Sequence, residues 1–119
     1  MINRQQNLIN FERSYTMVKK ITTAEFNSMD KSGVSVLDFN ATWCGPCKML
    51  APVLEEVSEE MAGQANFYSI DTDENPDLAR EYGIMNIPAL VVLKDGQKVD
   101  MNVGFAPKDA LKEFVSKNI

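Results

Sequence analysis

The chain's two cysteines, Cys44 and Cys47, stand in the stretch "NATWCGPCKMLAP", which runs from Asn40 to Pro52. Gly45 and Pro46 separate them, and a helical pattern follows at once. The first turn of a helix has backbone N–H groups without an internal partner and carries partial positive charge. Both features stabilise a thiolate over a thiol, and the thiolate is the nucleophile of disulfide exchange. The spacing therefore suggests a division of labour. Cys44 attacks a substrate disulfide and forms a mixed disulfide. Cys47, one turn into the helix and expected to be the more buried, then attacks Cys44 and frees the reduced substrate. Cys47 needs help losing its proton. Asp38 is the candidate, a lone carboxylate in the apolar run "VSVLDF" that ends just before the cysteine loop. Burial raises a carboxyl pKa toward the range useful for proton transfer near neutrality.

Other readings of these residues stand beside this one. A structural zinc site needs about four ligands; with two Cys and no His, dimerisation or carboxylates would have to complete it. The cysteines could be structural, although a turn opening a helix argues against inert filler. Asp38 could be a buried, hydrogen-bonded structural acid. Trp43 reads as a partly exposed aromatic that rigidifies the loop and contacts partners, against the alternative of simple core. The methionines read mostly as core filler. Pro88 in "IMNIPAL" marks a turn before a buried strand, with a cis peptide bond as one option.

The elements that must position these residues follow from periodicity. Val18–Ile21 is a strand candidate, and Thr22 with Glu25 has capping-box spacing before a short helix. Val34–Phe39 is a buried strand. The helix from Gly45–Cys47 carries Met49, Leu50, Val53, Leu54, Val57 and Met61 at helical spacing, with Pro52 expected to bend it. Glu55, Glu56, Glu59 and Glu60 form its solvated face. Asn66–Thr72 is a strand. Asn75-Pro76 opens a short helix, Asn as N-cap, which Gly83 ends. Ala89–Leu93, an Asp95-Gly96 turn and Gln97–Val103 form a hairpin. Pro107–Lys117 is a closing helix, apolar at Ala110, Leu111, Phe114 and Val115. The order βαβαβαββα implies an α/β domain: a central mixed five-stranded sheet flanked by four helices, its alternating first part parallel and its final hairpin antiparallel.

The 119 residues suffice for one compact domain with a modest core. A net charge of −5 without a basic cluster argues against nucleic acid and against an anionic membrane surface. No run approaches the roughly 20 apolar residues of a membrane span. Residues 1–16 are polar, lack the apolar core of a signal peptide, and are read as an N-terminal extension, native or from a mis-set start, expected to be poorly ordered unless docked. The domain proper is 17–119, and a cytoplasmic location is the default.

At this point the residues resemble the thioredoxin family, over about Val18–Ile119. The carriers are "WCGPCKMLAP" (Trp43–Pro52), "DFNA" with Asp38, "DENP" (Asp73–Pro76), "YGIMNIPAL" (Tyr82–Leu90), "KDG" (Lys94–Gly96) and "VGF" (Val103–Phe105). Members of this family are themselves standard cases of a thiol pKa lowered by such a motif. The resemblance implies a thioredoxin fold and a cytosolic protein-disulfide reductase, with Cys44 attacking, Cys47 resolving and Asp38 assisting Cys47. It implies a cis Pro88 facing the pair, with Ile87 offering backbone hydrogen bonds to an extended substrate strand. Trp43, Gly45, Pro46, Gly104 and Phe105 would ring the docking surface. Electrons would come from an NADPH-dependent thioredoxin reductase, a separate flavoprotein. The chain itself would bind no cofactor and no metal, its redox group being the Cys44–Cys47 disulfide, and a small acidic fold of this type is most simply a monomer. Three positions depart from the family: Asn40 where Trp is common, Ser69 where many members have Lys, and Ala89 where Thr is common. The first two bear on the surroundings of Asp38. A binding module clasping a partner around Trp43, Ile87 and Phe105, and a disulfide oxidase or isomerase, are the rival functions. The absence of a His between the cysteines counts against the latter.

Overall fold

The computed structural model describes residues 17–119. The expected extension over 1–16 lies outside the described residues. The chain order is β1 (Val18–Lys20), α1 (Thr23–Ser28), β2 (Val34–Asn40), α2 (Gly45–Glu60), β3 (Asn66–Asp71), α3 (Pro76–Glu81), β4 (Ala89–Lys94), β5 (Gln97–Val103) and α4 (Lys108–Ser116). One five-stranded sheet runs in the order β1-β3-β2-β4-β5. β1, β3 and β2 are mutually parallel, whereas β4 joins β2, and β5 joins β4, antiparallel. The alternation of helix and strand extends as far as β4 without making it parallel. β4 begins at Ala89 opposite Phe39, at the end of the sheet where β2 and β3 finish. The chain leaving β3 therefore re-enters the sheet from the same end.

The pleat sorts the core into two layers. Val34 and Val36 of β2, Phe67 of β3 and Leu90 and Val92 of β4 face Leu50, Leu54, Val57 and Met61 of α2 and Leu111 and Val115 of α4. Leu37 and Phe39, Ile70, and Ala89, Val91 and Leu93 point the other way, onto Phe26 of α1 and Leu78 and Ala79 of α3. By the same alternation Asp38 and Asn40 continue the Val34–Val36 row. Ser69 and Asp71 continue the row of Phe67. These polar ends share the α2 face of the sheet.

Local chemistry explains the element ends. The Thr22 hydroxyl accepts from Glu25 N while Glu25 returns a bond to Thr22 N, the expected capping box. Asp95 and Gly96 both adopt positive φ, 50° and 83°, as a tight two-residue hairpin needs. α2 runs through Pro52 as one helix. Glu56 and Glu60 on its outer face pair with Lys108, and Glu60 also with Lys112, tying α2 to α4.

Five expectations are corrected or refined. Asn75 stands at the N-cap of α3 but its side chain makes no cap bond. Its Oδ1 accepts instead from Thr23 N and Oγ1, and its Nδ2 donates to the Asp71 carbonyl, so it ties α1 to α3. Met49 is exposed, because it flanks rather than joins the stripe formed by Leu50, Leu54, Val57 and Met61. Ala110 is likewise exposed beside Leu111 on α4. Met17 and Met85 are exposed too, and Met61 alone of the described methionines is buried. Glu55 is half-buried and more than a solvated charge: its Oε2 and Oε1 accept from the backbone N–H groups of Met17 and Val18, at 2.8 and 3.2 Å.

Candidate active site

Cys44 is the N-cap of α2, extended at φ −88° and ψ 111°, and its sulfur accepts the Cys47 backbone N–H at 3.2 Å. Pro46 occupies the first turn, where its missing N–H costs no helix bond. The Lys48 N–H then closes the first intrahelical bond onto the Cys44 carbonyl. The sequence thus places a sulfur where the helix presents an unpaired donor. Cys44 and Cys47 are joined as a disulfide, with Cα atoms 5.2 Å apart, inside the range such bonds require.

The two cysteines are equally buried, each 5% exposed. The expected difference in burial does not exist in the disulfide form. Both cysteines form one small buried cluster with Ala41, and half-buried Ile87 packs against it. The Cys44 sulfur lies 3.9 Å from the Ile87 carbonyl. A disulfide sulfur has no hydrogen to donate, so this is a packing contact in the oxidised form.

The Ile87–Pro88 peptide is cis. Ile87 is half-buried against the cysteines, Pro88 is buried, and the Pro88 carbonyl accepts the Gly104 N–H at 2.7 Å. Gly104 has φ +98°, which a side chain would strain. The structure therefore sets Ile87 against the cysteine pair and ties Gly104, just past the end of β5, to Pro88 just before β4. Trp43 is 69% exposed and Phe105 43% exposed, and Gly45 and Pro46 are also exposed. Trp43 is held by its ring: Nε1 donates to Asp73 Oδ2 at 2.8 Å. Sequence reading missed Asp73 as a partner, although the "DENP" motif had flagged its loop.

Asp38 is buried at 4% exposure, and burial pushes its carboxyl up to about 6, against a smaller opposing effect of the Asn40 amide. Asn40 Nδ2 donates toward Asp38 Oδ2 at 3.2 Å and to Ser69 Oγ at 2.8 Å. Two of the three noted positions, Asn40 and Ser69, thus meet each other beside Asp38. A cavity of about 490 Å³ opens beside them, lined by Asp38, Asn40, Ser69 and Cys47, with Lys48 and Glu55 of α2. Asp38 and Cys47 border the same space. Among the described residues no cluster of three or more His, Cys, Asp or Glu could hold a metal, and no helix is long and apolar enough to cross a membrane.

The family model described as Thioredoxin matches residues 17–117. Curated relatives named Thioredoxin, from Staphylococcus aureus strains Mu50 and MW2, are each 52% identical over 102 residues. That span covers 86% of this chain and 98% of each relative.

Proposed function

The chain belongs to the thioredoxin family of protein-disulfide reductases, and on that premise we propose that it serves as a general dithiol reductase of cytosolic proteins, itself re-reduced by an NADPH-dependent thioredoxin reductase. The carrying observation is the Cys44–Cys47 disulfide at the N-terminus of α2, with the Cys47 N–H directed at the Cys44 sulfur. That donor and the helix dipole favour negative charge on Cys44 once the bond is reduced.

The reaction runs as thiol–disulfide exchange. The Cys44 thiolate attacks one sulfur of a substrate disulfide. The substrate S–S bond breaks, the leaving sulfur carries off an electron pair and takes a proton, and a Cys44–substrate mixed disulfide remains. Cys47 then gives its proton to the Asp38 carboxylate. Its thiolate attacks the Cys44 sulfur, and the second substrate thiol departs. Two electrons have passed to the substrate and the Cys44–Cys47 disulfide has formed. An extended substrate segment lies across Trp43, Gly45, Pro46, Ile87, Pro88, Gly104 and Phe105, pairing with the backbone of Ile87. The exposure of the Trp43 and Phe105 rings around a buried disulfide supports this placement.

The test is an equilibrium titration of the cysteine pair against a thiol–disulfide buffer, together with turnover of a protein disulfide supplied with NADPH and a thioredoxin reductase. A reducing potential with NADPH-coupled turnover is expected. A clearly oxidising potential would replace this reading by an oxidase or isomerase role.

A further inference from the structure

Three acceptors surround the amide nitrogen of Asn40, which has two N–H bonds to give. Nδ2 lies 2.8 Å from Ser69 Oγ, 3.1 Å from the Asp38 carbonyl and 3.2 Å from Asp38 Oδ2. The backbone makes this meeting unavoidable. Residues two apart in β2 share a face, so Asn40 stands beside Asp38. The parallel register places Ser69 of β3 opposite Asp38. The shortest contact, to Ser69, fixes the rotation of the amide plane. The remaining N–H is left to the two Asp38 oxygens.

The consequence for Asp38 is asymmetric. Oδ2 receives the Asn40 donor. Oδ1 is fully buried and has no hydrogen-bond partner among the described residues. A buried polar atom without a partner is costly, and here it is the atom whose lone pairs stay open for a proton.

We propose that Asn40 and Ser69 form a clamp that orients the Asp38 carboxylate, so that Oδ1 rather than Oδ2 accepts the Cys47 proton during resolution. Asn40 and Ser69 are positioning residues, Ser69 acting through Asn40. In the step concerned the Cys47 S–H bond breaks, an O–H bond forms at Oδ1, and the electron pair stays on sulfur. The inference rests on the reductase reading for the identity of the proton donor. The other charged or titratable groups around the cavity are Lys20 of β1, Lys48, Glu55 and Cys47 of α2, and Asp71 of β3. Opposite Asp38 on β4 stands apolar Leu90.

The experiment follows the Asp38 side-chain carboxyl by NMR through a pH titration of the reduced protein. It pairs this with the pH profile of protein-disulfide reduction. The proteins compared are wild type, Asn40→Ala, Ser69→Ala and Ser69→Thr. Losing a hydrogen bond to a carboxylate is expected to raise its midpoint by about one pH unit. Asn40→Ala should show that upward shift, Ser69→Ala a smaller one in the same direction, and Ser69→Thr the wild-type value. The acid limb of each rate profile should move with its midpoint. An unmoved midpoint in Asn40→Ala and Ser69→Ala overturns the clamp. A moved midpoint with an unmoved rate profile overturns it too, because proton acceptance by Asp38 would then not govern resolution. Wild-type protein that reduces no protein disulfide at any pH would sink the reductase reading instead, and the titration alone would then decide the clamp.

Discussion

The Gly104 backbone N–H donates to the Pro88 carbonyl across 2.7 Å, joining the end of β5 to the residue before β4. Gly104 makes this bond from φ +98°, a conformation that L side chains rarely adopt. No atom crowds its Cβ position, so strain alone sets the cost of adding one. Gly104→Ala should lose about 1–3 kcal/mol of stability in chemical denaturation. Its KM for protein disulfides should rise as the Pro88 turn shifts. An alanine variant as stable as wild type would show that the positive φ is not required.

The two cysteines should separate by the product each variant leaves. Cys44→Ser is expected to abolish reduction of protein disulfides, since the nucleophile at the helix N-cap is gone. Cys47→Ser should accumulate mixed disulfides through Cys44, visible as a mass increase that a reductant removes. Free turnover by Cys47→Ser would reverse the assignment.

Asp38 should make the fold less stable as pH rises. The carboxyl ionises near its ordinary 3.8 when unfolded and at about 6 when folded. Between those values the unfolded chain has released a proton that the folded chain keeps, so raising the pH favours unfolding. The contribution is fully present below 3.8 and is lost as pH passes through about 6. The span corresponds to about 3 kcal/mol. Asp38→Asn should therefore be more stable than wild type at pH 7.5, by up to about 3 kcal/mol, while falling behind in turnover. Denaturation midpoints recorded from pH 4 to 8 check this; parallel curves for the two proteins would contradict it.

Glu55 holds the edge strand. Its carboxylate accepts from Met17 N and Val18 N, 37 or 38 residues away in sequence. Glu55→Ala should cost about 1–2 kcal/mol and speed amide hydrogen exchange at Met17 more than in β2. Unchanged exchange there would mean that the Glu55 carboxylate does not secure β1.

Asp73 anchors the exposed ring of Trp43 through Nε1. Both groups are solvated, so Asp73→Ala should change stability by no more than about 1 kcal/mol. Trp43 is the chain's single tryptophan, so its emission anisotropy reports the ring directly. Anisotropy should fall in Asp73→Ala, and an unaltered value would show that packing, not the hydrogen bond, holds the ring.

The nine elements of residues 17–119 can be read from the sequence nearly to the residue, because apolar periodicity, a capping box and a turn dipeptide are encoded within a few neighbouring residues. The sequence determined the cysteine pair and its helix start for the same reason. Asp38 was legible as a lone carboxylate in an apolar run. Packing between distant segments supplies what short-range pattern cannot hold. The antiparallel entry of β4 depends on which end of the sheet the chain re-enters. The diversion of Asn75 from its cap depends on Thr23, 52 residues away. Glu55 looked solvated until the amides of Met17 and Val18 were brought over it. Asn40 and Ser69 stood out in sequence as two separate departures from a family pattern. Parallel pairing of β2 with β3 put them on one side of the sheet, where a single amide of Asn40 touches both Ser69 and Asp38. Hydrogen bonds act over about 3 Å, and only the folded sheet brings residues 29 positions apart within that reach.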